Sequence, residues 1–427
     1  MAFPHRFGSG QFEEILKYPN KVIQKPSVFW WLFYFCGMNE ATRAYIEAHL
    51  NEDVSLLALG KAPTGVDKAF ALRQIEARQL LQKKVPSWST NAELWFPPRL
   101  SLEQCSSEIT AMYKAGLVGG DTFADLTGGL GIDSWYLSKG FKHGHYVELR
   151  PALCDLARHN FDVLNADIEV HNESAEDYLG HCPVLDLIYI DPARRDLYGR
   201  KTVAVSDCTP DVVQLQDIML EKAKTVMVKL SPMLDLHQAL MVLHKVKEVH
   251  VVAVTNECKE LLLLQQRDAV GPVSIHCVNL LTGQEAVEFT KEEEDATPLC
   301  LADTIGKYLY EPNAALMKAG CFKVLAHRYG VEKLHKNSNL YTSDHLVANF
   351  PGRIFEVEDW APFNKKVGQT LLSDVAKASI AVRNFPLSVA ELRKSFKLAD
   401  GDSTYLFATT LKGEKKVLIK TKKAASI

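Results

Sequence analysis

The stretch DTFADLTGGLGIDS, Asp121 to Ser134, decides how the rest of the chain is read. A short apolar strand, TFADLT, runs straight into three glycines and then a helix start. Gly128, Gly129 and Gly131 permit positive φ and let a ligand approach the backbone. The helix that follows opens with N–H groups that have no partner in their own turn. Twenty-three residues after Asp125, at the end of the next apolar run, stands Glu148 in YVELR. An acidic side chain there is placed to take both hydroxyls of a ribose.

Working outward, short apolar runs alternate with helical stretches. TFADLT, HGHYVEL, IEVHNES, LDLIYIDP, TVMVKLSP and EVHVVAV read as strands. SWYLSKG, RPALCDLARHNFDVL and TPDVVQLQDIMLEKA between them read as helices. The alternation predicts an α/β, Rossmann-like core: a mostly parallel sheet with helices on both faces. SIHCVNLL and EAVEFT around Thr282-Gly283 predict a hairpin, and the acidic run KEEEDATP reads as a surface linker.

The flanks differ from this core. FEEILKYP, the aromatic stretch SVFWWLFYFCGM, ATRAYIEAHL and KAFALRQIEARQLLQKK predict an N-terminal helical domain over residues 1–92. ELWFPPRL is a rigid connector into the core domain, residues 93–298. Residues 299–427 form a smaller α+β module. Its helices are expected at NAALMKAGCFKVLAHRYG, KVGQTLLSDVAKAS and SVAELRKSF. Its strands are expected at RIFEVEDW, IAVRNF, TYLFATTL and KKVLIKT.

Composition sets the class. The 427 residues are 47% hydrophobic and 24% charged, an ordinary globular balance. No run approaches the roughly 20 apolar residues of a membrane span. The nine cysteines show no CxxC pair and no His-Cys cluster at zinc spacing. They read as reduced thiols of a cytoplasmic protein without a metal site. From residue 301 onward there are 20 Lys and Arg against 12 Asp and Glu, while the whole chain carries -3. A basic C-terminal third fits a polyanionic partner or a solvated Lys-rich surface.

The glycine turn fits two cofactor classes. A dinucleotide fold wants GxGxxG to seat a pyrophosphate. Here the order is GGLG, with Asp125 before it and Asp133 after it. Carboxylates crowding the turn repel a pyrophosphate and suit a cofactor with a cationic amine and sulfonium, S-adenosylmethionine.

On these residues, the segment from Leu102 to Ser231 resembles a class I methyltransferase that uses S-adenosylmethionine. ADLTGGLGID looks like the glycine motif, VELR the ribose motif, VHNESAEDYL the adenine-edge segment and LIYIDPAR the acceptor motif. The resemblance implies that Asp125, Thr127, Gly128, Gly129, Gly131 and Asp133 surround the methionine end. It implies that Glu148 holds the ribose. Ser174 and Ala175 fall where the family has Asp-Ala beside adenine; Ser174 replaces the Asp, and Glu173 is the alternative contact. Upstream, LSLEQCSSEITAMYKAGLV is similar to the segment before the glycine motif in adenine and guanine amino-methyltransferases. That implies Gln104, Ser106 and Ser107 beside the methionine carboxylate, with Cys105 in place of an aromatic. Taken alone, Ser106 or Ser107 also reads as a helix N-cap.

The acceptor motif is where this chain departs from that family. Asp191 and Pro192 are present; Ala193 replaces a second proline and Arg194 an aromatic. Asp191 orients an amine or polarises a hydroxyl, and Pro192 presents its carbonyl. Arg194, with Arg195, Arg200 and Lys201, stacks on a base, binds a phosphate, or pairs with a carboxylate such as Asp196. Carbon-5 pyrimidine methylation needs a cysteine nucleophile. The places for it hold Ala193 and KLSP, and Cys208 reads as an ordinary thiol. Two further segments invite a ligand reading. Asn256, Glu257 and Lys259 lie on the rim of the predicted sheet, or begin a helix. Phe96 in FPPR lies near adenine, or in a linker.

The whole chain resembles a bacterial family of class I methyltransferases with a THUMP-like C-terminal domain preceded by a ferredoxin-like segment. The resemblance implies RNA as the substrate class, with an exocyclic base amine as acceptor. The alternatives are a methyltransferase of small molecules or proteins, and a non-catalytic protein that binds S-adenosylmethionine or RNA.

Overall fold

The computed structural model describes residues 39–193, 204–401 and 403–424. The expected helices at FEEILKYP and SVFWWLFYFCGM lie outside the described residues. The chain divides into two compact units, one ending at Ile188 and the other starting at Tyr189. Among the described residues no helix is long and apolar enough to cross a membrane.

In the first unit, helices Glu40–Ala48 and Lys68–Leu81 form where the sequence spacing predicts them. Asn39 and Asp67 cap them, accepting from Thr42 N at 2.8 Å and Phe70 N at 2.9 Å. Ile46 of the first packs with Phe70, Ala71 and Ile75 of the second in a small core of their own, and the end of the second helix enters a larger one. Ala77, Leu81, Trp88 and Phe96 are buried together with Leu130 and Ile132 of the glycine turn. Burying each large side chain there contributes about 1.5–3 kcal/mol.

The connector ELWF is held by three buried polar side chains that satisfy its backbone. Arg78 donates to the carbonyls of Asn91, Ala92 and Leu94 at 2.8–3.1 Å. Gln74 bonds Phe96 through both its amide atoms, and Asn160 does the same for Trp95. Burial pushes the Arg78 guanidinium down to about 10. Phe96 is fully buried in this clamp, so the adenine role open to it from sequence is withdrawn.

Strands β1 (Gly120–Asp125), β2 (Phe141–Val147) and β3 (Ile168–His171) are parallel. With β4 (Leu185–Ile190), in which the unit boundary falls, their order is β3-β2-β1-β4.

In the second unit, β5 (Ala223–Leu230), β6 (Val246–Val254), β7 (Glu257–Gln266), β8 (Ser274–Leu280) and β9 (Val287–Thr290) follow β4 in the order β4-β5-β7-β6-β8-β9. This is the order of an α/β protein with a large, mostly parallel sheet, β7 and β9 running antiparallel to their neighbours. The sequence alternative of a helix at ECKELLLL is overturned by β7. Leu261 to Leu264 are all buried, and an unbroken apolar run does not separate a doubly covered strand from a buried helix. Thr255 and Asn256, with φ of 47° and 67°, make the two-residue turn that joins β6 to β7. The hairpin expected at Thr282-Gly283 is present as β8 and β9.

The acidic run is no linker. Lys291–Ala296 is a helix, and buried Glu294 accepts the backbone N–H groups of Phe322, Lys323 and Val324 at 2.8–3.1 Å. The carboxylate thus sits at the start of helix Lys323–Tyr329, where negative charge is favoured. Gly320, at φ 77°, splits the single expected helix into Ala314–Ala319 and Lys323–Tyr329.

A second sheet follows, with β10 (Tyr308–Pro312), β11 (Glu332–His335), β12 (Ser338–Ser343), β13 (Gly352–Pro362), β14 (Ser379–Arg383), β15 (Thr404–Leu411) and β16 (Lys415–Lys423). Its order is β11-β12-β10-β13-β16-β15-β14. Leu309, Phe355, Phe407 and Ile419 fill its core.

Candidate functional site

The glycine turn begins where β1 delivers Asp125 into the interior, 1% exposed. One oxygen of Asp125 accepts the Thr127 N–H at 2.9 Å, and the other accepts the Ser134 hydroxyl at 2.6 Å. The carboxylate therefore closes the turn onto itself. Gly128 lies under Tyr146 so tightly that a Cβ would fall 2.2 Å from the ring. Gly129 and Gly131 hold φ of 57° and 84°. The three glycines thus answer different demands, one steric and two conformational. Tyr146 also donates its hydroxyl to the Gly129 carbonyl at 2.7 Å.

Glu148 stands just past β2. It accepts the Gly129 N–H at 3.1 Å, which ties the strand end to the glycine turn. Arg150 grips both carboxylate oxygens through Nε at 2.9 Å and Nη2 at 3.0 Å. That bidentate pair is charge-assisted. Arg150 was not singled out by sequence reading, although the adjacent spacing in ELR was visible.

Asp133 and Lys114 form a buried pair. The Lys114 ammonium is fully buried and lies 3.2 Å from Asp133. Ser106 donates to Asp133 at 2.6 Å and lies 3.3 Å from the Lys114 ammonium. Ser106 is thus part of a buried ionic cluster under the turn. Ser107 caps helix Glu108–Ala115 and bonds Thr110. Gln104 is exposed at the end of helix Arg99–Gln104. Ser174 caps helix Ala175–His181, accepting from Asp177 N at 2.9 Å. Glu173 accepts from His181 at 2.8 Å. Asn172 donates to the carbonyls of Glu148 and Leu149 at 2.9 and 3.1 Å.

In the second unit, Asp191 follows the end of β4. Its carboxylate is ion-paired with Lys229, near the end of β5. The Lys229 side chain is 12% exposed and that of Asp191 33%. Lys229 is the residue that sequence reasoning missed here. The signal was a lysine inside the apolar strand TVMVKL, where charge is tolerated only with a partner. Pro192 is buried. Ala193 and Thr209 exchange backbone hydrogen bonds at 2.8 and 3.0 Å. Arg194, Arg195, Arg200 and Lys201 lie outside the described residues. Cys208 is buried.

Asn256 turns out to serve a joint. Its side-chain oxygen accepts the Ala314 N–H at 2.8 Å. Gln284 bonds Asn279 and Asn313 at 3.0 Å and the Gly352 carbonyl at 2.9 Å. These amides fasten the β6–β7 turn to the segment that carries β10 and β13.

Comparison with known proteins agrees with this architecture. Residues 308–351 match a ferredoxin-like domain model, and residues 352–423 match a THUMP domain-like model. Two Mycobacterium tuberculosis proteins, from strains CDC 1551 and H37Rv, are named uncharacterized S-adenosylmethionine-dependent methyltransferases. Each is 23% identical over 306 residues, 71% of this chain and 81% of the relative. A crystal structure from Porphyromonas gingivalis W83, solved as a candidate methyltransferase, superposes with a TM-score of 0.81. It shares 39% sequence identity, over 90% of this chain and 98% of that one. With that identity over nearly the full length of both chains, this protein belongs to the class I methyltransferases that use S-adenosylmethionine and carry a ferredoxin-like segment and a THUMP-like domain.

Proposed function

We propose that this enzyme methylates RNA, with an exocyclic base amine as the acceptor and Asp191 as the residue that aligns it. The observation that carries the reading is the Asp191–Lys229 ion pair at the acceptor turn. A carboxylate held in place by a nearly enclosed ammonium is a fixed hydrogen-bond acceptor, which is what an amine N–H needs to present its lone pair. The Pro192 carbonyl supplies the second acceptor, and Arg194 the contact to base or phosphate. The THUMP-like match over residues 352–423 supports RNA as the polymer. In functional terms we divide the chain into a helical region 1–92, a transfer domain 93–298 and a substrate module 299–427, in a cytoplasmic protein.

The first unit's residues fit S-adenosylmethionine. Gly128 leaves no room for a side chain over Tyr146, so the turn presents bare backbone. Asp125, Thr127, Gly129, Gly131 and Asp133 line the methionine end in this reading, with Gln104 and Ser107 from the preceding segment. Glu148 takes the ribose hydroxyls, and Ser174 lies on the adenine side. Bound, the cofactor supplies an electrophilic methyl on a sulfonium. Such a transfer needs little acid-base help, and alignment is the larger contribution.

A second reading rests on Lys229 itself. An Asp–Lys pair is also suited to polarising a hydroxyl, which makes a ribose hydroxyl the rival acceptor. One experiment separates these. Methyl-labelled S-adenosylmethionine is incubated with RNA from a strain lacking the gene, and the RNA is digested to nucleosides. Label on a base amine supports the first reading, and label on a ribose supports the second. No label in RNA, with cofactor binding intact, overturns both.

A further inference from the structure

Strands β2 and β3 carry a group of side chains that the transfer reaction does not use. The segments KHGHYVE and DIEVHNE put histidines and acids at every second position. Period-two alternation brings His143 and His145 of β2 and Glu169 and His171 of β3 to one face of the strand pair. His145 and Glu169 are direct cross-strand partners.

The ligand atoms converge. His145 Nδ1 and His171 Nε2 lie 3.1 Å apart. Glu169 Oε2 lies 3.6 Å from the first and 3.7 Å from the second. A tetrahedral ion with bonds of about 2.1 Å sets its ligand atoms roughly 3.4 Å apart. The three separations bracket that value. His143 offers a nitrogen within 4.8 Å of His145 and Glu169 ligand atoms, on the side of that pair away from His171.

The surroundings resemble an outer ligand shell. His171 turns its other nitrogen toward Glu173 Oε1 at 3.7 Å, and Glu173 is itself held by His181 at 2.8 Å. His143 is bonded by Asp167 at 3.0 Å. Carboxylates behind the histidines fix ring orientation and raise ligand basicity. The His145 side chain is 11% exposed and that of Glu169 59%, so the group has a buried floor and an open side.

We propose that His145, His171 and Glu169 bind a divalent transition-metal ion, zinc by donor type. The ion clamps β2 to β3 just before Glu148 and Asn172. Its role is to stiffen the strand ends that present the ribose carboxylate.

The test uses the full chain, stripped with a chelator and titrated with zinc by calorimetry, with elemental analysis of the purified protein. We expect one zinc per chain. Glu169→Ala and His171→Ala each weaken binding by at least about tenfold. His145→Gln is run alongside; should it fail to fold, the other two variants decide. His276→Ala, in the separate group Glu248, His250 and His276, is the control and leaves zinc binding unchanged. No stoichiometric uptake, uptake that survives both Glu169→Ala and His171→Ala, or uptake lost in His276→Ala overturns the proposal. S-adenosylmethionine titration of the stripped chain is a separate readout, so failure of the metal site does not depend on the methyltransferase reading.

Discussion

The Lys229 ammonium is ion-paired with the Asp191 carboxylate, the two standing near the ends of β5 and β4. Lys229 is nearly enclosed, so it has little water to replace a lost partner. Lys229→Met removes the anchor while keeping the side chain's length. The expected result is a loss of about 100-fold in kcat, the order seen when a reacting group is misplaced by about 1 Å. Affinity for S-adenosylmethionine, measured by calorimetry, is expected to stay within about twofold, since neither residue is assigned to it. A matching loss of cofactor affinity would remove Lys229 from the acceptor side.

Asp191 itself separates the two acceptor readings. Asparagine keeps a carbonyl oxygen that accepts an amine N–H, but it cannot take up a proton. For an amine acceptor, Asp191→Asn is expected to retain at least about tenfold more activity than Asp191→Ala. For a hydroxyl acceptor the two variants fall together, because base catalysis of about 100-fold or more is lost in both. Single-turnover rates with labelled cofactor give the ratio.

Glu148 is expected to govern cofactor affinity rather than rate. Its carboxylate is fixed by Gly129 and Arg150, so it meets a ribose in one orientation. Hydrogen bonds to a charged group contribute about 1.5–3 kcal/mol. Glu148→Ala should therefore raise the Kd for S-adenosylmethionine by about 10–100-fold. An unchanged Kd would put the ribose elsewhere.

Much of this was legible in the sequence because the strands of the core have ends marked by glycine, proline or acid. The glycine turn, Glu148 and Asp191 are each announced by a local pattern. What escaped was pairing across the fold. Lys229 is 38 residues from Asp191, and nothing local joins them. The helix alternative at ECKELLLL had no periodicity to oppose it, since β7 is covered on both faces. KEEEDATP read as solvated because Glu294's partners, the amides of Phe322 to Val324, are remote in sequence. Asn256 was noticed for its place on the rim, and its partner at Ala314 gives it a structural use.

Glycine substitutions test the turn's geometry against stability. Gly128→Ala places a Cβ 2.2 Å from the Tyr146 ring, a contact that the buried ring has no room to relieve. Overpacking of this kind costs about 1–3 kcal/mol or more. Gly180, in helix Ala175–His181, meets nothing within 4 Å. Gly180→Ala is therefore expected to stabilise by about 0.5–1 kcal/mol. Opposite shifts in the thermal midpoint are the expected outcome. A neutral Gly128→Ala would mean that the turn does not pack against Tyr146.

Acid should destabilise the second unit through His250. Its ring is stacked on that of His276, with centroids 4.6 Å apart, and the two residues are cross-strand partners on β6 and β8. Burial holds the His250 pKa below the usual histidine value, and the neighbouring His276 pushes the same way. Glu248 at 3.4 Å opposes this, and Glu288 lies beside His276, but neither offsets the burial. The folded chain therefore keeps His250 neutral where the unfolded chain, titrating near the usual 6.5, takes a proton. Proton uptake by the unfolded state lowers stability as pH falls. The contribution is complete above about pH 6.5 and is lost progressively below it, toward the depressed folded value. Urea midpoints at pH 7 and pH 5 measure the slope. His250→Gln keeps a polar side chain but removes the titration, so its midpoint should fall less between the two pH values than that of the wild type. Equal slopes in both proteins would show that His250 is already charged in the fold.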